Sequence, residues 1–146
     1  MKFFTYGTLM NGEPRHKWLA NYTAYYGRGK VTGLLYNFRD QYPVLRKVSP
    51  IMKEMHPELK DVTIGAYGEI YEVPSPNTAT LFTILDEIEG VPFLFDRQTG
   101  LIIQTQDHNG SPVSDAFPGT FYVGVKPSFF KLPIIKSGDW RKRDEN

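Results

Sequence analysis

Two short segments carry residues whose type and spacing could do chemistry. The first is Leu85-Asp86-Glu87-Ile88-Glu89-Gly90. Leu81, Ile84, Leu85 and Ile88 recur at helical spacing and make one apolar stripe. Gly90 and Pro92 supply the stop signal that follows it. Glu89 sits one residue past Ile88, beside the buried face and at the end of a helix where the macrodipole disfavours negative charge. Repulsion from Asp86 and Glu87 acts in the same direction. A partly buried carboxylate placed this way is expected to have a raised pKa, as a general base working near neutrality requires. The same residues would also serve as an ordinary solvated acidic helix end.

The second segment is Phe4-Thr5-Tyr6-Gly7-Thr8-Leu9. It reads as a buried strand stopped by a glycine, which can turn the next backbone N–H groups outward as a nest for a carboxylate. A plain strand-to-loop turn would look the same. Glu69 is a further carboxylate, but its place in an alternating strand predicts a solvent-facing side chain. The histidines His16, His56 and His108 stand apart without metal-ligand spacing, and the chain has no cysteine. No metal and no cofactor are expected. Neither a nucleophile elbow nor a phosphate-binding loop is present. Gly27 and Gly29 lie in strand-rich sequence and are expected at bulges.

The elements that must position these residues follow from periodicity. A chain of 146 residues with 40% hydrophobic and 23% charged residues has the size and composition of one globular domain, taken as 1–146. Thirteen glycines, eleven prolines and nineteen Phe and Tyr residues argue against a helical bundle. Lys2 to Tyr6 reads as a strand, Pro14 to Tyr22 as a short helix, and Tyr25 to Phe38 as one bent strand. Val62 to Val73 alternates with period two and predicts the clearest strand. Ser75-Pro76 is read as the cap and first position of the helix that ends at Gly90. Gly100 to Gln106 and Thr120 to Val125 read as strands, joined through the hairpin signal Asn109-Gly110 and a looser stretch over 111–119. This order predicts an α+β fold, with a mixed, barrel-like β-sheet and a few flanking helices. The apolar runs are too short to span a bilayer and the N-terminus lacks a signal-peptide pattern, so a cytoplasmic protein is expected. A net charge of +1 gives no nucleic-acid footprint, and Arg141-Lys142-Arg143 reads as a solvated tail.

In order and spacing these segments resemble the γ-glutamylcyclotransferase-like, or AIG2-like, family, closest in pattern to its small bacterial γ-glutamylamine cyclotransferase-type members. Tyr6-Gly7-Thr8-Leu9 is similar to the family's opening motif, and Leu85 to Gly90 to its Leu-Asp-x-x-Glu-Gly motif. Tyr42-Pro43, the strand Gly65 to Val73, Arg97 and the ending Ser137-Gly138-Asp139-Trp140 also match. The resemblance implies a barrel-like fold, a small-molecule γ-glutamyl substrate held by Tyr6, Gly7, Thr8 and Leu9, and Glu89 as catalytic acid/base. It also places Tyr122 in the pocket as a polar contact. The implied chemistry is ring closure of a γ-glutamyl group to 5-oxoproline with release of an amine. A non-catalytic or specialised member that binds an amino-acid-like ligand or a protein partner is the alternative. The sequence departs from the pattern at Phe95, where relatives carry a tyrosine, and in a long excursion over 46–61. That excursion would be either a lid or a surface insertion. The sequence names neither the leaving amine nor the oligomeric state.

Overall fold

The computed structural model describes residues 1–145. Its strands are β1 (Lys2–Thr5), β2 (Ala24–Val31), β3 (Leu34–Phe38), β4 (Tyr42–Arg46), β5 (Ala66–Glu72), β6 (Phe95–Asp107) and β7 (Pro112–Gly124). Its α-helices are α1 (Lys17–Ala20), α2 (Met52–Met55) and α3 (Thr78–Ile88). Five strands close into a barrel in the order β1-β5-β2-β6-β7, while β3 and β4 form a separate hairpin. Closure comes from a parallel contact of β1 with β7 at Phe3 and Thr120; the other barrel pairings are antiparallel. This is the α+β, barrel-like arrangement that the alternation of strands around one long helix predicts.

Successive residues of β1 face two cores because side chains alternate along a strand. Phe3 meets Phe82 of α3 edge-on at 5.8 Å, and Phe4 meets Phe121 edge-on at 6.4 Å. Leu81, Phe82 and Leu85 of α3 are buried in the first core with Phe3, Tyr71 and Tyr122. Burial of side chains this size stabilises by about 1.5–3 kcal/mol each, so this stripe fixes where the end of α3 lies. Phe4, Ile70, Ile102, Phe121 and Trp140 share the second core.

Several boundaries differ from the sequence expectation. The stretch 25–38 is two strands, broken at Thr32-Gly33, that join different sheets. Register shifts fall between Tyr25 and Gly27 and between Arg28 and Gly29, where bulges were expected. Ser75 does not cap α3: residues Ser75–Asn77 form a 3₁₀ turn, the helix starts at Thr78, and no side chain caps it. The clearest strand starts at Ala66 rather than Val62.

Residues 111–119, expected as a loop, belong largely to β7, which pairs with β6 from Pro112 onward. Pro112 and Pro118 are tolerated there because β1 reaches β7 only at Thr120, leaving this part of β7 a free edge. The turn at 107–111 uses Asp107, whose carboxylate accepts the N–H groups of Asn109 and Ser111.

The closed barrel leaves no room at Gly68. A Cβ there would stand 2.1 Å from the Thr5 carbonyl oxygen and 2.9 Å from the Phe4 ring. Gly68→Ala must part β5 from β1, so we expect a loss of about 2–3 kcal/mol. Thermal unfolding monitored by circular dichroism should show a midpoint lowered by roughly 5–10 °C.

Candidate functional site

The end of β1 and the end of α3 meet at an open cavity of about 120 Å³. Tyr6, Gly7, Thr8 and Leu9 line one side, Ile88, Glu89, Leu94 and Phe95 another, with Arg15, Tyr42, Pro43 and Tyr122 completing the wall. Tyr6, Gly7, Thr8, Leu9, Glu89 and Tyr122, which the resemblance assigns to the site, all line this cavity; the second carboxylate candidate, Glu69, does not.

The turn after β1 is held by close contact as well as by hydrogen bonds. A Cβ on Gly7 would lie 2.5 Å from Cγ of Pro43, so only glycine lets the chain pass beneath β4. The Met10 N–H donates to the Gly7 carbonyl at 3.0 Å, and the Arg15 N–H donates to the Thr8 carbonyl at 2.9 Å. The amides of Gly7, Thr8 and Leu9 donate to no other group among the described residues. Uncommitted amides of this kind are what an anion-binding nest would require. The Tyr6 hydroxyl is fully used within the protein: it donates to the Tyr122 carbonyl at 2.7 Å and accepts the Leu45 N–H at 3.4 Å. Burial, then the negative charge of Glu89, pushes this phenol well above its ordinary pKa.

Glu89 occupies the C-cap of α3, its N–H bonded to the Leu85 carbonyl at 2.8 Å. Gly90 follows at φ +64°, a left-handed turn that glycine adopts without strain. The Glu89 carboxyl is pushed up to about 7 by burial, and the positive charge of Arg15 opposes the rise. The direction agrees with the sequence expectation, but the cause differs. Asp86 does not act on Glu89 as a free repelling charge: it accepts the Tyr122 hydroxyl at 2.6 Å and lies 3.4 Å from the Arg97 guanidinium. Loss of water around Glu89 dominates instead.

Tyr122 thus faces the cavity with its hydroxyl proton committed to Asp86, and burial followed by that bond raises its pKa. Phe95 lines the cavity and is buried against Tyr42 at 6.0 Å and Phe129 at 5.6 Å. An apolar ring suits that aromatic packing. No residue of the 46–61 excursion lines the cavity; Leu59 anchors the excursion in the first core. Glu69 does not face solvent as its strand alternation suggested: it is 5% exposed and bonded to the Asn11 N–H and the Tyr71 hydroxyl. The tail also departs from expectation, since Arg141 lies 3.6 Å from Glu69 and Arg143 stacks 3.9 Å over Trp140.

Arg15 was not singled out in the sequence. It falls two residues before α1 in a polar stretch, and only the fold, by bending 7–16 back under β4, brings it to the cavity. No helix among the described residues is long and apolar enough to cross a membrane.

Comparison with known proteins agrees with this geometry. The family model described as gamma-glutamyl cyclotransferase, AIG2-like, matches residues 3–142. A Drosophila melanogaster protein provisionally named gamma-glutamylcyclotransferase CG2811 is 30% identical over 117 residues, covering 73% of this chain. The match spans 62% of that relative's length. Among solved structures, an AIG2-like protein of Mus musculus superposes with a TM-score of 0.64 at 24% identity, over 90% of this chain and 83% of that one. YkqA of Bacillus subtilis also gives 0.64 at 20% identity, over 98% of this chain and 40% of its own. At these identities the two structures speak for a shared fold.

The shift at Glu89 has a consequence for stability. With a folded pKa near 7 against an ordinary 4.5, the folded state holds more protons than the unfolded state between those values. Stability contributed at this site is therefore lost as pH rises through that window. Glu89→Gln mimics the protonated form. It should match the wild type near pH 4 and exceed it at pH 8. The full shift corresponds to roughly 3 kcal/mol, reduced to about 1–2 kcal/mol because the cavity is open to water. Urea unfolding of both proteins across pH 4–8 would measure the divergence.

Proposed function

Because this chain belongs to the gamma-glutamyl cyclotransferase, AIG2-like family, we propose that it cyclises a γ-glutamylamine or γ-glutamyl peptide to 5-oxoproline and a free amine. The observation that carries the proposal is a carboxyl brought to about 7 at the wall of a cavity whose opposite wall is a turn with three uncommitted amides.

In this reading the α-carboxylate of the γ-glutamyl group lies on the amides of Gly7, Thr8 and Leu9, with the Thr8 hydroxyl as a further donor. Tyr6 contributes through its backbone and by tying the turn in place, since its hydroxyl is already occupied. The Tyr122 oxygen, whose O–H donates to Asp86, accepts from the substrate's α-amine. That amine titrates near pH ~8 and is mostly protonated at neutrality. Glu89 removes its proton, and the freed nitrogen attacks the γ-carbonyl carbon. Glu89 returns that proton to the leaving nitrogen as its bond to the carbon breaks, and the ring nitrogen passes its remaining extra proton to the departing amine, which leaves as an ammonium. One carboxyl can do both jobs because its pKa lies near working pH, where neither protonation state is strongly preferred. Joining nucleophile and electrophile in one molecule removes most of the entropic cost of bringing them together, once the turn fixes the chain in its ring-closing conformer.

Release of 5-oxoproline, followed by mass spectrometry, should be seen with at least one of γ-glutamyl-ε-lysine, γ-glutamyl dipeptides and glutathione. Glu89→Gln should reduce it by about 10²–10⁴-fold while the protein stays folded. A folded wild type that releases nothing from any of them would leave the binding of an amino-acid-like ligand as the reading to pursue. The pH profile offers a separate check. Activity should rise with a midpoint of about 7. Arg15→Gln removes the charge that holds Glu89 down, so it should move that midpoint to higher pH.

A further inference from the structure

The candidate cavity meets only one side of the chain between Gly7 and His16. On the other side, Glu69 of β5 lies in a separate recess with Asn11, His16 and Tyr71, and it does not line the candidate cavity. One oxygen of Glu69 accepts the Asn11 N–H at 2.7 Å and the Tyr71 hydroxyl at 3.0 Å. Its other oxygen lies 3.6 Å from the Arg141 guanidinium. That same guanidinium donates to the Asn11 carbonyl. Both backbone polar groups of Asn11 are thus gripped by one carboxylate–guanidinium pair, whose members lie 58 and 130 residues away in sequence.

We propose that Glu69 and Arg141 form a positioning clamp that presets the Gly7–Arg15 turn for substrate, so that the C-terminal segment acts on the cavity through Asn11. This rests on the cyclotransferase reading above. Its physical basis is the length of chain outside any helix or strand. From Gly7 to His16 no residue belongs to a helix or strand, and the turn is tied locally by the Met10, Glu13, Arg15 and His16 amides, each donating within the segment, and by the His16 ring, 2.8 Å from the Leu9 carbonyl. The three amides meant for substrate make no internal bond that would hold their direction. Without the clamp, ordering this turn would be charged against substrate binding. Charge-assisted hydrogen bonds from a buried carboxylate are strong enough to hold a peptide group in one orientation. Trp140, buried in the second core, anchors Arg141 beside it.

Because the clamp acts on binding geometry and leaves Glu89 on its own helix, its loss should appear in KM. Arg141→Ala, a change at a side chain one-third exposed, should raise KM about tenfold, with kcat reduced much less. The midpoint of the pH profile should stay near its wild-type value. Glu69→Ala should have the larger effect on KM. Glu69→Gln, which keeps an acceptor for the Asn11 N–H and the Tyr71 hydroxyl, should recover part of it. In parallel, amide exchange by NMR should be about tenfold or more faster at Asn11 in Arg141→Ala, while Phe4 and Ile70 in the barrel keep their protection. A fall in kcat with unchanged KM, or unchanged exchange at Asn11, would overturn the clamp. So would faster exchange without any rise in KM. A wild type that releases no 5-oxoproline would instead remove the cyclotransferase reading, and Asn11 exchange would still decide whether the pair holds the turn.

Discussion

The hydroxyl of Tyr6 donates to the Tyr122 carbonyl and receives the Leu45 N–H, so one buried phenol ties the end of β1 to β7 and to the β3–β4 hairpin. These are three of the walls around the cavity, and the hairpin is not hydrogen-bonded into the barrel sheet. The tie also determines where Pro43 sits over Gly7, because Pro43 and Leu45 belong to the same strand. A phenol suits this position better than a smaller hydroxyl. Its ring fills core volume beside Phe4 at 6.3 Å, while its oxygen bridges two buried backbone groups on different strands.

Glu89 shows which electrostatic effect wins in such a place. Attraction to the charge of Arg15 lowers its pKa; desolvation raises it by more. A closer ion pair would stabilise the carboxylate and make it a weaker base. With Asp86 committed to Tyr122 and Arg97, burial outweighs the pull of Arg15 and raises the carboxyl to about 7. The fold gives up some stability at neutral pH to keep it there, a cost of the kind that functional sites commonly carry.

Much of this was legible in the sequence, and the parts that were not share a cause. The apolar stripe Leu81 to Ile88 and the glycine after Glu89 are local signals, and both appear in α3 and its left-handed stop at Gly90. The alternation of β5 and the turn at Asn109-Gly110 are local in the same way. Tertiary placement is not. Nothing around Thr32-Gly33 tells one bent strand from two strands in different sheets. The prolines of β7 suggested a loop because sequence alone does not reveal a free edge. Glu69 follows its strand's alternation faithfully, but the face it shares with Tyr71 is covered by the 7–16 chain, so alternation gave the right side and the wrong environment. Arg15 and Arg141 became visible only once distant segments were brought together.

The division of labour across the cavity follows from the same distinction. The proposed binding donors are backbone amides of a turn, where side-chain identity matters little beyond the glycine that Pro43 demands. The proposed acid/base is one side chain at a helix end, where burial and the charge of Arg15 act on its pKa in opposite directions. The first kind of group is tuned by whatever holds the turn, the second by whatever surrounds one carboxylate. Substitutions can therefore alter the grip on a ligand without altering proton transfer, and the reverse. A fold arranged so can keep its backbone while side chains around the cavity change, consistent with a shared architecture in solved structures only 20% to 24% identical to this chain.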